Sequence, residues 1–343
     1  MITSPPGRRA WTTRNVVATV AVLIGVVGIT LSVVRSVNSG APSTAASLLS
    51  IGGMELGYSR LDNPGRSVVR DNTGTVVATL TDGARTANLA GPERTFADPD
   101  FTTATVTTSA WVRLLPEPWT PGAERQPWFR PWLDQQFQSQ EPDVLAVATQ
   151  YLRGQPDATD AQGVRYRGDA AFGPPSETSE TTREERSDFY DYLGLTWTFA
   201  DGDQEIPDPL RYGNADCSGF LRLVYGYRMG IPLRNTNTPG PGLPRRAFAI
   251  AQYAPGVSVI PDHARPVADY SRLLPGDLVF FNLDADPRID HSAIYLGVDD
   301  SAHHRFLSSR GRANGPTLGD LGGTSLLDDG GHYSRAFRTA KRL

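Results

Sequence analysis

The sequence contains few of the residues that build disulfides, metal sites and nucleic-acid interfaces. Cys217 is the only cysteine among 343 residues, so an internal disulfide is impossible. The five histidines do not stand at the regular short spacing of a zinc site. Lys341 is the only lysine, and the net charge of −4 argues against the basic face of a nucleic-acid binder. We therefore expect no metal, no cofactor and no nucleic-acid partner.

Charged residues are absent from one long N-terminal run, Val16 to Val34. At roughly 20 residues a helix crosses a bilayer, whereas a secretory signal has an apolar core of roughly 7–15 residues. Three arginines precede the run and Arg35 alone follows closely, so the positive-inside rule places residues 1–15 in the cytoplasm. The sequence predicts a transmembrane signal anchor over 16–34 and a flexible linker over 35–50. The body then lies on the cell-wall side of the membrane, or is secreted if the run is a cleaved signal.

Residues 51–135 show short β-like runs and predict a small β-rich domain. Ser67–Arg70 and Thr75–Leu80 are rich in Val and Thr, and the turn-forming segment 71–74 lies between them, which predicts a hairpin. We find no helical period in this region. Four tryptophans and Phe129 follow between residues 111 and 132, and we interpret them as core or domain seam more readily than as a ligand surface.

Helical spacing first appears at Asp143–Leu152, where Asp143 can cap a helix that Gly154 ends. Residues 154–187 are polar and rich in Gly, Pro, Ser, Thr and Glu, which predicts a long surface loop. Loops of this length are usually functional or disordered.

Cys217 stands at the start of a second predicted helix. Apolar residues recur at helical spacing after it, and Gly230 with Pro232 stops the pattern. Asn214 or Asp216 can cap the helix start. Unpaired N–H groups in the first turn stabilise an anion, so we expect the pKa of the Cys217 thiol to fall and the thiol to be reactive.

His291 opens a strand in a predicted three-strand antiparallel meander formed by Leu278–Phe281, residues 291–297 and residues 305–309. If the second hairpin centres between Asp299 and Asp300, His291 faces Ser308 and Tyr295 faces His304. In this register His303 and His304 belong to a solvated turn and do not touch His291.

Three motifs occur in a recognisable order. Asp216-Cys217-Ser218-Gly219 opens a helix, Pro275-Gly276-Asp277 leads into the Leu278–Phe281 strand, and His291 precedes Ile294-Tyr295-Leu296-Gly297. In order and spacing they resemble the NlpC/P60 family of cell-wall cysteine peptidases. The resemblance covers roughly residues 143–343, and residues 1–142 lie outside it.

The resemblance implies an α+β, papain-like domain over 143–343, in which the nucleophile helix packs against an antiparallel sheet that carries the histidine. It also implies cleavage of peptidoglycan stem peptides, typically at the γ-D-glutamyl–diaminopimelate bond. Carried over by position, Cys217 is the nucleophile and His291 the base. The polar residue that orients the imidazole falls on Ser308. The family's upstream tyrosine falls on Trp197, which with Asp216 and Ser218 would contact substrate.

Two positions depart from the family pattern. Ser308 is neutral and holds an imidazole less firmly than a carboxylate does, and Trp197 lacks the tyrosine hydroxyl. Two other functions therefore stay open. One is an acyltransferase or amidase on the same fold, and the other is a non-catalytic module that binds the cell wall.

Overall fold

The computed structural model describes residues 48–51, 54–284 and 286–343. The predicted anchor at 16–34 and the segment before it lie outside these residues, as does most of the predicted linker, and all stay predictions. Within the described ranges, no helix is long and apolar enough to cross a membrane.

The first sheet is a meander of six antiparallel strands in sequence order. Its strands are β1 (Leu48–Ile51), β2 (Met54–Leu61), β3 (Arg66–Arg70), β4 (Val76–Thr81), β5 (Thr86–Ala97) and β6 (Thr105–Leu114). The predicted hairpin is confirmed as β3 and β4, because the side chain of Asp71 accepts from the N–H groups of Thr73 and Thr75, each at 2.9 Å, and closes the turn.

Short elements connect this sheet to the helix that begins at Cys217. They are 3-10 turns at Ala123–Arg125 and Pro209–Arg211, helices α1 (Phe129–Gln138), α2 (Val144–Thr149) and α3 (Phe189–Leu193), and strands β7 (Ala158–Thr159), β8 (Arg165–Arg167), β9 (Pro175–Ser176), β10 (Ser179–Arg183), β11 (Trp197–Thr198) and β12 (Gln204–Glu205). Helix α1 was not predicted. The region 154–187 contains two small hairpins where we expected only loop.

The aromatic stretch forms a core, as we interpreted it. Trp119 and Phe129 are buried, and their ring centroids lie 4.9 Å apart. Trp111, Trp128 and Trp132 pack against the same cluster, which fills the space between the first sheet and α1.

The second sheet also has six strands, in the order β13-β18-β14-β15-β16-β17. The elements from Cys217 onward are α4 (Cys217–Leu221), a π-helical segment (Arg222–Arg228), α5 (Ala247–Tyr253), β13 (Val257–Ile260), β14 (Leu278–Phe281), β15 (His291–Val298), β16 (His304–Arg310), β17 (Gly315–Thr317), α6 (His332–Ala336) and β18 (Phe337–Arg342). The predicted meander is confirmed as β14, β15 and β16, and α4 packs against β15 and β16. The mixed α+β character is thus confirmed.

The predicted register of β15 and β16 is wrong by three residues next to the turn and by two residues beyond the bulge. Tyr295 faces Phe306 and Val298 faces His304, with a bulge between Tyr295 and Gly297. The turn also differs, because Asp299 and His303 close it around Ala302, which has a φ of 66°. Continuing the observed register to the start of β15 places His291 opposite Arg310.

A buried ion pair joins the two sheets. Arg342 of β18 donates to both carboxylate oxygens of Asp277 at 2.8 Å, and its third nitrogen donates to Thr81 of β4 at 2.7 Å. The side chains of Asp277 and Arg342 are each 1% exposed. The described residues accordingly belong to one compact unit, and the boundary predicted between the domains at 51–135 and 143–343 stays a prediction.

Removing one partner of this pair should destabilise the whole unit. We expect Asp277→Asn to lower the free energy of unfolding by about 3–5 kcal/mol, because the Arg342 charge is left buried and unpaired. Urea unfolding measures the change. Asp134→Asn, which breaks the half-exposed pair with Arg130, is the matched control and should have no measurable effect. Equal midpoints for the two variants would contradict the prediction.

Candidate active site

Cys217 occupies the first position of α4. Asp216 has extended backbone angles and its carboxylate accepts from the Gly219 N–H at 2.7 Å, so it caps the helix as predicted. The cysteine side chain is buried, as are its neighbours Asp216 and Ser218. The sole thiol therefore sits at the end of a fixed turn.

Arg245 holds this turn from outside the helix. Its guanidinium donates to Asp216 Oδ2 and to Ser218 Oγ, each at 2.7 Å, and to the Arg186 carbonyl at 2.8 Å. A second carboxylate, Asp188, lies 3.4 Å from Arg245. Asp216 and Ser218, which the resemblance assigned to substrate binding, are thus bonded to the protein itself.

Two acceptors surround the thiol. Cys217 Sγ lies 3.8 Å from Glu185 Oε1 and 3.8 Å from the carbonyl oxygen of Asp290. Burial raises the pKa of Cys217 well above its ordinary value, and the charges of Asp216 and Glu185 raise it further. The predicted fall in the thiol pKa is therefore wrong. The Asp216 carboxylate caps the helix at the Gly219 N–H and places a negative charge beside the thiol, which opposes the effect of the helix start on the thiolate.

His291 lies directly after Asp290 but packs on aromatic rings. Its ring centroid is 5.8 Å from that of Phe281, its cross-strand neighbour, and 5.6 Å from that of Tyr333. Nε2 is buried without a hydrogen-bond partner. In the described part of the chain no hydrogen bond joins His291 to Cys217. The pKa of His291 is lowered to about 3, first by burial and then by the charge of Arg310, so the imidazole is neutral at pH 7.

Ser308 is bonded to an arginine. Its hydroxyl accepts from Arg310 Nε at 3.0 Å, and no hydrogen bond joins it to His291 among the described residues. The Arg310 guanidinium also donates to the Gly323 carbonyl at 2.5 Å and to the Ser325 hydroxyl, and lies 4.5 Å from the Tyr333 ring centroid. A cation thus stands where the resemblance implied a hydrogen-bond acceptor for the histidine.

The other predicted residues lie away from the thiol. Trp197 packs in the core, with ring centroids 5.0 Å from Phe189 and 5.9 Å from Tyr227. His304 Nδ1 lies 2.7 Å from the Tyr295 hydroxyl, and His303 pairs with Asp328. Both histidines therefore make side-chain contacts that the predicted solvated turn did not include.

Two cavities open beside the thiol and share a wall formed by Glu185, Asp284 and Asp290. One is lined by His291 and Arg310, and the other by Arg246, Phe248 and Arg288. Glu185 lines both cavities and contacts the thiol at 3.8 Å, whereas Cys217 lines neither.

Glu185 and Arg310 were missed by sequence reasoning. Glu185 lies at the end of the polar segment 154–187, which had been marked as functional or disordered only by its length. Arg310 could have been found from the strand register, had the turn been placed at Asp299–His303 and not centred between Asp299 and Asp300.

Comparison with known proteins identifies a family for the segment that contains the site. Residues 199–314, about a third of the chain, match the model described as the NlpC/P60 family. This confirms the resemblance over that segment. No curated protein matches the chain. A solved structure described as an NlpC/P60 family protein from Bacillus cereus ATCC 10987 is 13% identical, with 84% of this chain and 80% of that chain covered. Its TM-score of 0.26 is too low to carry an argument about the fold.

Removing the Glu185 charge should make the thiol more reactive. The carboxylate disfavours the thiolate, so Glu185→Gln lowers the pKa of Cys217 and increases the thiolate fraction at neutral pH. We expect alkylation by iodoacetamide at pH 7 to be up to about tenfold faster, the factor of one pKa unit.

The rate is measured from neutral to alkaline pH, where it should rise later in the wild type than in the variant. Glu184→Gln is the matched control, because Glu184 pairs with Arg211 at 2.6 Å and does not contact the thiol. An unchanged profile in Glu185→Gln, or the same shift in both variants, would contradict the prediction.

Proposed function

We propose that this chain is a cell-wall peptidase that cleaves peptidoglycan stem peptides, at a bond of the γ-D-glutamyl–diaminopimelate type, through Cys217 and His291. The observation that carries the proposal is the position of the only thiol. It stands in the first turn of a capped helix, beside a cleft, within the segment that matches the NlpC/P60 family. That family supports a hydrolase acting on peptidoglycan in general, whereas the bond and the residue roles are proposed here.

The chemistry begins from a neutral pair. The thiol is protonated and the imidazole is neutral at pH 7, so His291 acts as a general base. As Sγ bonds to the amide carbon, the thiol proton moves to the imidazole. Backbone N–H groups at the start of α4, including that of Cys217, stabilise the oxyanion.

The intermediate then collapses in the reverse direction. The carbon–nitrogen bond breaks and the leaving nitrogen takes the proton from the imidazolium, which leaves an acyl group on sulfur. Water attacks this thioester and gives a proton to His291, and the proton returns to the sulfur as the acid leaves. No proton or electron is left unaccounted for.

The resting site requires one rearrangement before this chemistry. The Glu185 side chain, which contacts the thiol, must move away from it as the His291 ring moves within reach of Sγ. Catalytic hydrogen bonds are often long in the free enzyme and form only in the substrate complex. We propose that an amide entering the cleft replaces Glu185 at the thiol and thereby couples binding to activation.

Location completes the proposal. A body anchored by residues 16–34, with residues 1–15 in the cytoplasm, would meet peptidoglycan on the cell-wall side of the membrane. A secreted form after signal cleavage would meet the same substrate.

A second candidate function is a non-catalytic module that binds the cell wall. The specific observation in its favour is that Arg310 engages Ser308, so that this hydroxyl does not orient the His291 ring, and the charge of Arg310 opposes an imidazolium. In this case the cleft would hold a stem peptide without cleaving it.

Peptidoglycan digestion separates the two candidates. The full-length protein is incubated with purified peptidoglycan and the released peptides are analysed by mass spectrometry, beside Cys217→Ala. We expect peptide release by the wild type, faster release by Glu185→Gln, and none by Cys217→Ala. Equal release by wild type and Cys217→Ala would contradict the thiol mechanism. Sedimentation of both proteins with peptidoglycan, without release by either, would favour the binding module.

A further inference from the structure

A cavity of about 390 Å³ lies beside strands β13 and β18 of the second sheet. It is lined by the chain that follows β13 and by Arg338 of β18. Its volume is within the range of small-ligand sites, roughly 300–1,000 Å³. None of its lining residues lines the two cavities near Cys217. It is therefore a separate site, which the proposed peptidase chemistry does not use.

The walls of this cavity are rich in cations. Arg265, Arg272 and Arg338 line it together with His263, and Asp269 is the one acidic side chain of the lining. Three guanidinium charges against one carboxylate leave an excess of two positive charges among these four side chains. This local excess of positive charge is opposite in sign to the net charge of −4 of the whole chain.

The three guanidinium groups are only partly offset by Asp269, whose pKa is lowered first by hydrogen bonds with Ser271 and then by the charge of Arg272. Among the described residues, none of the guanidinium groups of Arg265, Arg272 and Arg338 lies within ion-pair distance of a carboxylate. The arginines that do form ion pairs lie outside this cavity. Arg338 donates to the carbonyl oxygen of Arg335 at 2.8 Å, which leaves its charge in place. The Asp269 carboxylate instead accepts from the Ser271 N–H at 2.9 Å.

A further arginine strengthens the positive field from the first sheet. The pKa of Arg66 in β3 is lowered by burial and then by the charges of Arg342 and Arg272, which shows that Arg66 and Arg272 repel each other. Arg342 is neutralised by Asp277, whereas Arg272 forms no ion pair within the part of the chain that the structure describes. An anion bound beside Arg272 would relieve this repulsion.

We propose that this cavity, which we call the arginine cleft, binds a phosphate group. A doubly charged phosphate matches the net charge of the cleft, and planar guanidinium groups bind phosphate oxygens through paired hydrogen bonds. The phosphate could belong to a free small molecule or to a phosphate-bearing polymer, and both present the same oxygens to Arg265, Arg272 and Arg338.

The test is titration calorimetry of the full-length protein in detergent with pyrophosphate, a glycerol phosphate polymer and citrate. The variant is Arg265→Gln with Arg272→Gln, both exposed side chains whose replacement should leave thermal unfolding unchanged. The control is Arg125→Gln with Arg130→Gln, which removes the same charge from two arginines that already have carboxylate partners.

We expect saturable pyrophosphate binding in the wild type and control, weakened at least about tenfold in the cleft variant, as the loss of one charge-assisted hydrogen bond predicts. Tighter binding of the polymer than of pyrophosphate would identify a polymer as the source, and the reverse a free phosphate. No saturable binding, equal loss in the control, or equal binding of citrate would overturn the proposal.

Discussion

The candidate site depends on the buried carboxylate of Asp216. It accepts the helix-capping hydrogen bond from the Gly219 N–H and the charge-assisted bond from Arg245, and it adjoins the only thiol. Arg245 lowers the pKa of Asp216 against the effect of burial, so the carboxylate stays charged. Arg245 also donates to the carbonyl oxygen of Arg186. It therefore joins the turn that bears Cys217 to the segment that bears Glu185. The geometry of the thiol is therefore set by one ion pair.

The same arrangement explains why the thiol is held in its neutral form. Asp216 and Glu185 place two negative charges near the sulfur, while Arg310 places a positive charge near His291. Burial and the two carboxylates oppose the thiolate, and burial and Arg310 oppose the imidazolium more strongly than Asp216 favours it. A thiolate–imidazolium pair is thus disfavoured at both Cys217 and His291 in the free protein. Because the thiol stays neutral, it is protected from alkylation and oxidation.

Local patterns predicted the local structure well. The β3–β4 hairpin, the cap and start of α4, and the β14–β16 meander all follow from short-range turn, capping and alternation signals. Helix α1 was missed because Pro131 and aromatic residues obscure its period, although its aromatic core was anticipated.

The contacts around Cys217 and His291 could not be predicted from such patterns, because they join residues that are distant in sequence. Glu185 precedes Cys217 by 32 residues and reaches it only through the tertiary fold. Arg310 required the strand register. The turn lies further along the chain than predicted and shifts the register by three residues, and the bulge in β15 reverses one of them, so an arginine instead of a serine stands opposite His291. The thiol pKa was wrong because the sequence shows a helix start but not which charges surround it.

The strand order of the second sheet has a consequence for how the chain acquires its fold. Strand β18 lies between β13 and β14, although it follows both by at least 56 residues in sequence. A chain that emerges N-terminus first can pair β14, β15 and β16 early, but β13 and β14 keep unpaired edges until β18 arrives. During that interval both edges are open to mispairing with other chains and to proteases. Insertion of β18, with Arg342 closing onto Asp277, is the step that ends this exposure.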